Sequence, residues 1–355
     1  MNPISSALRS FGSVAVVAAL FTGCSTPKTA TTHVFFPPPP DEPRIQFLSS
    51  FSSEEQLQGS RSFTDFVVGT EKYTRPIVKP YGIASSPGKI YVCDTVPATV
   101  EVVELGKRRI RYFKPVGEAT LGTPINIAVD TDGMRYVTDT KRDQVLVFKE
   151  ETYVGALGAR DEMKPAGVAL TKERIYITDL KNHCVRVYNK ASRELLFTFP
   201  KAGDDEKSKL FAPTNVAIDK QGQVCVSDTG GFFVNVYQAD GKYVRTMGEQ
   251  GLSPGKFSLP KGVAVDHEGR SYVVDANTQV IQLFGPDGRI LMYFGDPAQS
   301  GGGTTSLPAG IALDYENVRY FEPFAAPGFT VEYLILVTNQ TGGHKVSVFG
   351  FGRKK

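Results

Sequence analysis

Short runs of strand-forming residues recur along the chain, and most of them stop at an acid. IYVCD ends at Asp94, RYVTD at Asp139, IYITD at Asp179, VCVSD at Asp228 and SYVVD at Asp275, while LILVTN ends at Asn339. Each run is short and flanked by turn residues, which predicts a strand. Ahead of each stands the pattern Pro-x-Gly/Asn-Ile/Val-Ala: PYGIA (80–84), PINIA (124–128), PAGVA (165–169), PTNVA (213–217), PKGVA (260–264) and PAGIA (308–312). Successive prolines are 41–48 residues apart. A third apolar run follows each acid or Asn339: VEVVEL, VLVF, VRVY, VNVY, IQLF and VSVF. Most copies then add a fourth, such as KYVRTMG or RILMYFG.

Four short strands at this period make one propeller blade. The punctuation agrees. Asp130 to Gly133, Asp219 to Gly222 and Asp266 to Gly269 are D-x-x-G turns between first and second strands. Asp240-Gly241 and Asp287-Gly288 are hairpin signals between third and fourth strands. The first strand carries Gly and Ala, which places it nearest the axis, where six strands crowd together. The predicted fold is all-β, a six-bladed β-propeller, with blades near 79–122, 123–163, 164–210, 211–257, 258–306 and 307–355. Blade 6 has no fourth run of its own, and PRIQFLSSF (43–51) is positioned to supply one from the N-terminal side, removing an exposed edge. A short helix is expected to start near Ser53, with Glu54 and Glu55 in its first turn.

The repeats resemble NHL repeats. GEQGLSPGKFSLPKGVAVDHEGRSYVVDANTQVIQLF (248–284) follows that repeat almost throughout, and the resemblance extends over about residues 79–355. It implies a six-bladed propeller. Blade 6 departs most, because ENVRYFEPFAAPGFTVEY (316–333) interrupts its first strand pair.

An acid that recurs in five of six copies, with Asn339 in the sixth, reads as a turn residue and not as a catalytic group. Its side chain accepts from backbone N–H groups two or three residues on. The Gly/Asn position of the first strand (Gly82, Asn126, Gly167, Asn215, Gly262, Gly310) suggests a demand for positive φ, which both residue types tolerate. The rival reading aims Asn126 and Asn215 into the channel as metal ligands.

Composition narrows the partners. Net charge is +3 over 355 residues, so electrostatics make no case for nucleic acid. Residues 11–21, FGSVAVVAALF, are too short an apolar run to span a bilayer but suit a signal-peptide core. The run ends in LFTGC, which resembles the lipobox of bacterial lipoproteins. That resemblance implies a signal peptide over 1–23, lipidation of Cys24, and, with Ser25 next, the outer membrane of a Gram-negative cell. Residues 24–42 read as a Ser/Thr/Pro-rich tether, extended and stiff through the four prolines at 37–40, and the propeller domain as 43–355. Cys93, Cys184 and Cys225 lack metal-ligand or disulfide spacing and read as small buried residues.

No histidine pair has metal spacing, and no nucleophile elbow, phosphate loop or zinc-protease motif occurs. His267 and His344 fall in turns. No catalytic residue, cofactor or metal is assigned. Topology puts the loops after each acid and before each proline on one face. Its candidate binding residues are Tyr81, Arg142, Lys181, Asn182, His183, Phe232, Phe233, Lys261 and Asn277. The blade 6 insertion, with Tyr320, Phe321, Phe324, Phe329 and Tyr333, belongs to the opposite face, either as an apolar docking patch or as blade packing. Two functions stay open. One is a lipid-anchored, non-catalytic propeller that binds an envelope protein. The other is a metal-dependent lactonase-like or lyase-like enzyme with Asn126 and Asn215 on its axis. Any small-molecule ligand is unidentified.

Overall fold

Each Pro-x-Gly/Asn segment opens a sheet. The computed structural model describes residues 33–58, 76–297 and 302–354. The first strands begin at Pro80, Pro124, Pro165, Pro213, Pro260 and Pro308, and each leads an antiparallel sheet. Five sheets have four strands and the sixth has five. The protein is a six-bladed β-propeller.

Its hydrophobic core is divided into six wedges, one between each pair of neighbouring blades. Blade 5 shows how one strand serves two of them. Tyr272 and Val274 pack toward Ile311, Ile335 and Val337 of blade 6. Val273, between them, packs toward Cys225, Val234 and Val236 of blade 4. Both faces of the sheet are buried, so the second strand reads as a nearly unbroken apolar run. All three described cysteines are buried and unpaired, as expected of small core residues.

The inner glycines correct the sequence reading. Gly82, Gly167, Gly262 and Gly310 are not among the positive-φ residues. They are required by close approach between blades. A Cβ on Gly310 would stand 2.2 Å from the Tyr81 carbonyl oxygen, and one on Gly82 would stand 2.5 Å from the Asn126 Cα. Backbone cannot yield there as a flexible side chain would. Positive φ is instead used in the turns, at Gly133, Gly222, Gly241, Gly269 and Gly288.

The ring is closed by the N-terminal side of the chain. Strand Ile45–Phe51 pairs antiparallel with Val346–Lys354, Ile45 opposite Phe351 and Phe51 opposite Val346. Phe36, Ile45, Leu48 and Phe51 are buried in the wedges on either side. A further strand, Phe35–Phe36, pairs outside it and was not anticipated. His33–Lys355 is one compact unit, so residues 33–42, expected as tether, belong with the propeller. The prolines at 37–40 lie in the connection between these two strands, not in an extended rod. A ring without a backbone N–H suits a connection that needs no ladder bond. Cys24 lies outside the described residues.

The helix predicted after Ser53 is Glu54–Gln58, and Glu54 accepts the Ile110 N–H of blade 1 at 2.9 Å. The blade 6 insertion folds back as packing. Phe321, Phe329 and Tyr333 are buried, and Phe324 remains exposed. Asn317 accepts the Gly88 N–H at 2.7 Å and donates to the Ser86 carbonyl at 3.0 Å, stitching blade 6 to blade 1. The buried Gln46 amide donates to the Phe324 carbonyl at 3.1 Å and accepts the Ala326 N–H at 3.0 Å, so the closing strand also holds the insertion.

Close approach and backbone conformation predict different outcomes for one substitution. Gly310→Ala is expected to lower stability by about 1–3 kcal/mol, the usual range for overpacking. Urea unfolding against the unsubstituted protein checks it. A neutral Gly310→Ala would show that contact with Tyr81 does not set this position.

Candidate functional site

The acids that end the second strands form a circle of buried acceptors. All five aspartates have no exposed surface. Each holds the turn that follows it, as the sequence suggested. Asp139 accepts the N–H groups of Lys141 at 3.1 Å and Arg142 at 3.2 Å, and Asp275 those of Asn277 and Thr278 at 3.1 and 3.3 Å. A second duty was not foreseen. The same carboxylates accept N–H groups just before the blade's proline, two of them in every case but Asp179, which takes Lys164 alone. Asp94 takes Val78 and Lys79 at 2.6 and 2.9 Å, Asp139 takes Gly122 and Thr123 at 2.6 and 2.9 Å, and Asp275 takes Ser258 and Leu259 at 2.7 and 3.1 Å. One carboxylate thus ties together two loops of the same face. Asn339 accepts only the Ser306 N–H, at 3.0 Å, and turns its amide to donate to the His344 carbonyl at 2.8 Å.

The residue before the acid also carries a role the first reading missed. Thr138 accepts the Asn126 N–H at 2.9 Å and donates to the Ala166 carbonyl of the next blade at 2.7 Å. Thr338 accepts the Gly310 N–H at 2.8 Å and donates to the Tyr81 carbonyl, and Ser227 donates to the Lys261 carbonyl. A register shift follows each proline, and in blades 2, 3 and 6 the threonine hydroxyl takes the Gly/Asn N–H. The signal was present in the ends TD, TD, SD and TN of four second strands.

Facing the acids, the middle of each third strand holds Glu101, Leu146, Arg186, Asn235, Gln282 or Ser347. The polar ones are buried. Gln282 accepts the Gly255 N–H and donates to the Lys256 carbonyl, both at 2.7 Å. Arg186 donates to Asp179 at 2.7 Å and to Glu162 at 2.7 Å. Burial would raise the Asp179 carboxyl, but the Asn182 amide, the Lys164 N–H and the Arg186 guanidinium outweigh it and hold it below the ordinary range. Glu101 is the exception. No donor reaches its carboxyl oxygens, and burial, the charge of neighbouring Asp94 and a hydrogen bond shared with that carboxylate push it up to about 10. It is a neutral acid at physiological pH.

The candidate binding residues separate into two groups. Seven lie around the rim, in or beside the turns. Arg142 donates to the Thr120 carbonyl at 2.9 Å, Lys181 to the Asp161 carbonyl, Asn182 to the Glu162 carbonyl at 3.0 Å, and Asn277 to Ser258 at 2.8 Å. His183 and Phe232 are left-handed turn positions, four residues after their acids, like Ala98, Asp143 and Gln279. His183 is thus an exposed turn residue. Phe233 packs edge-on against Phe211. The other two, Tyr81 and Lys261, come together at the channel mouth, with the Lys261 ammonium 5.2 Å from the centre of the Tyr81 ring.

Beneath them, Asn126 and Asn215 do reach the axis, but as a pair. Asn126 accepts the Ile127 N–H at 2.8 Å, which fixes its amide orientation, and its Nδ2 donates to Asn215 Oδ1 at 2.6 Å. The group left over is the buried Asn215 Nδ2, a donor with no acceptor. A cation on this axis would meet an N–H. Among the described residues no three His, Cys, Asp or Glu side chains gather as metal ligands.

Two substitutions test these assignments. Glu101 carries a proton when folded and loses it when unfolded above the ordinary Glu range. Its stability contribution is therefore full below about pH 4 and falls as pH rises toward 10. Glu101→Gln is expected to raise the urea midpoint at pH 8 and leave it little changed at pH 4; equal effects at both pH values would contradict a protonated Glu101. Asp275→Asn would turn an NH2 toward a backbone N–H and is expected to cost about 1–3 kcal/mol, with the melting temperature as readout.

Comparison with known proteins agrees with this architecture. The family model described as NHL repeat matches residues 163–188. No curated protein matches the chain. A structural genomics protein of unknown function from Bacteroides thetaiotaomicron superposes with a TM-score of 0.60 at 17% identity, covering 86% of this chain and 75% of its own. The virginiamycin B lyase of Staphylococcus aureus is similar at a TM-score of 0.53 and 13% identity, over 78% of this chain and 96% of that one. A chain of the nidogen/laminin complex gives 0.51 and 16%, over 63% and 85%. These likenesses concern the fold. The chain is a six-bladed β-propeller that carries an NHL repeat.

Proposed function

We propose that this propeller is a non-catalytic binding module, lipid-anchored through Cys24 in a bacterial cell envelope, with the acid-bearing face as its docking surface for another envelope protein. The observation that carries the reading is where large apolar side chains are left in water. Val78, Val96, Val116, Phe211 and Leu252 are exposed in loops of that face, while Val154, Leu195, Leu196, Leu291 and Tyr293 are exposed on outer fourth strands and Phe324 in the blade 6 insertion. Several exposed apolar side chains set among polar loops, on a rigid scaffold, suit protein association. The buried aspartates below them are occupied by backbone N–H groups and are unavailable as general acids or bases.

Envelope location rests on the LFTGC resemblance, and its test is direct. Cys24→Ser is expected to move the protein from the membrane fraction to the soluble fraction, and the N-terminal peptide of the native protein to carry acyl mass. Docking is tested by gentle detergent extraction of the tagged protein, followed by intact-complex mass measurement. Val96→Asp, Phe211→Asp and Leu252→Asp together are expected to release a stoichiometric partner without lowering the melting temperature. Retention of the partner by this variant would remove the face assignment.

A further inference from the structure

We propose that the channel mouth on this face is a receptor for a carboxylate group. The inference rests on reading that face as the binding face and names what it recognises. Tyr81 and Lys261 occupy the same position of blades 1 and 5, one residue inside the proline. The equivalent residues are Ile125, Ala166, Thr214 and Ala309, so this layer of the mouth contains one ammonium, one phenol and no acid.

Nothing nearby neutralises Lys261. Among the described residues neither Lys261 nor Lys79 forms an ion pair. Burial and then the charge of Lys79 hold the Lys261 ammonium below its ordinary pKa. One layer deeper lies Asn215 Nδ2, buried and without an acceptor. The five aspartates of the face keep their charge but spend their oxygens on other donors, and none of them pairs with Lys261. All three free groups can donate, and a ligand that satisfies them must bring acceptors and negative charge. One ammonium with two neutral donors suits a singly charged carboxylate better than a phosphate dianion. The mouth is also preorganised, because Thr338 grips the Tyr81 carbonyl and Ser227 the Lys261 carbonyl. The backbone is held and only the side chains are free to close on a ligand.

The carboxylate has two possible sources, a free small organic acid or an acidic group of the docked protein, and one experiment separates them. Full-length protein in detergent is labelled with acetic anhydride in succinate or in sodium chloride of equal ionic strength, and acetylation of Lys261 is followed by peptide mass spectrometry. Succinate is expected to slow it by about fivefold or more, as for an ion pair in a partly buried site, leaving exposed Lys242 unchanged. Equal rates at Lys261 in the two salts overturn the proposal. Given protection by succinate, loss of the protein partner on Lys261→Met, with rescue by Lys261→Arg, assigns the carboxylate to the partner. Retention of the partner by Lys261→Met assigns it to a free acid. Failure of succinate to protect leaves the docking surface standing on its own triple variant, so the two readings fall separately.

Discussion

A carboxylate withdrawn from water has to be surrounded by donors, and this ring meets that demand five times over. Each buried aspartate gathers N–H groups from the loop after it and from the loop before its blade's first strand. Both loops are thereby held to one strand end, and one face of the ring becomes a set of fixed turns. Their exposed tips are then free to vary. The loops after Asp139, Asp179, Asp228 and Asp275 share a backbone shape while presenting Arg142, His183, Phe232 and Asn277 respectively. The hydroxyls of Thr138, Ser227 and Thr338 add a second circle of bonds, which run from blade to blade.

The apolar wedges supply the cohesion that these polar bonds direct. No wedge is complete in one blade, so each sheet is stable only with a neighbour on both sides. That makes the sixth gap decisive. Blade 6 meets blade 1 through Leu48 and Phe51 of the closing strand, which pack into the seam, and through the helix Glu54–Gln58 and the insertion, which are bonded across it. Gln46 bonds the insertion's backbone with both ends of its amide and also reaches His33, which ties that segment to the ring.

Repeated features were legible in the sequence, and singular ones were not. The blades, the hairpins and the local role of Asp275 could be read because six copies average away accident. The inner glycines were noticed for the same reason but explained wrongly. Tolerance of positive φ and lack of a Cβ are properties of one residue, and only the packed axis shows that the second is in use. The strand Phe35–Phe36 was hidden by the prolines after it. Glu101 stood in plain view within VEVVEL, yet its neutral state depends on burial beside Asp94. Tyr81 and Lys261 are distant in the chain, and nothing in either repeat announces that their side chains meet.

The closing strand sets an order of events. Ser50 and His344 bond across the clasp although 294 residues separate them in sequence. The strand that shuts the ring is among the first parts of the propeller to be translated, and its partner is the last. Until Val346–Lys354 is made, the strand Ile45–Phe51 has no sheet to join, while blades 1 to 5 can assemble from neighbours already made. Such a chain has a long interval in which an apolar strand with open backbone edges is exposed to other chains. A holding factor present during synthesis would shorten that risk more effectively than any gain in the stability of the finished ring.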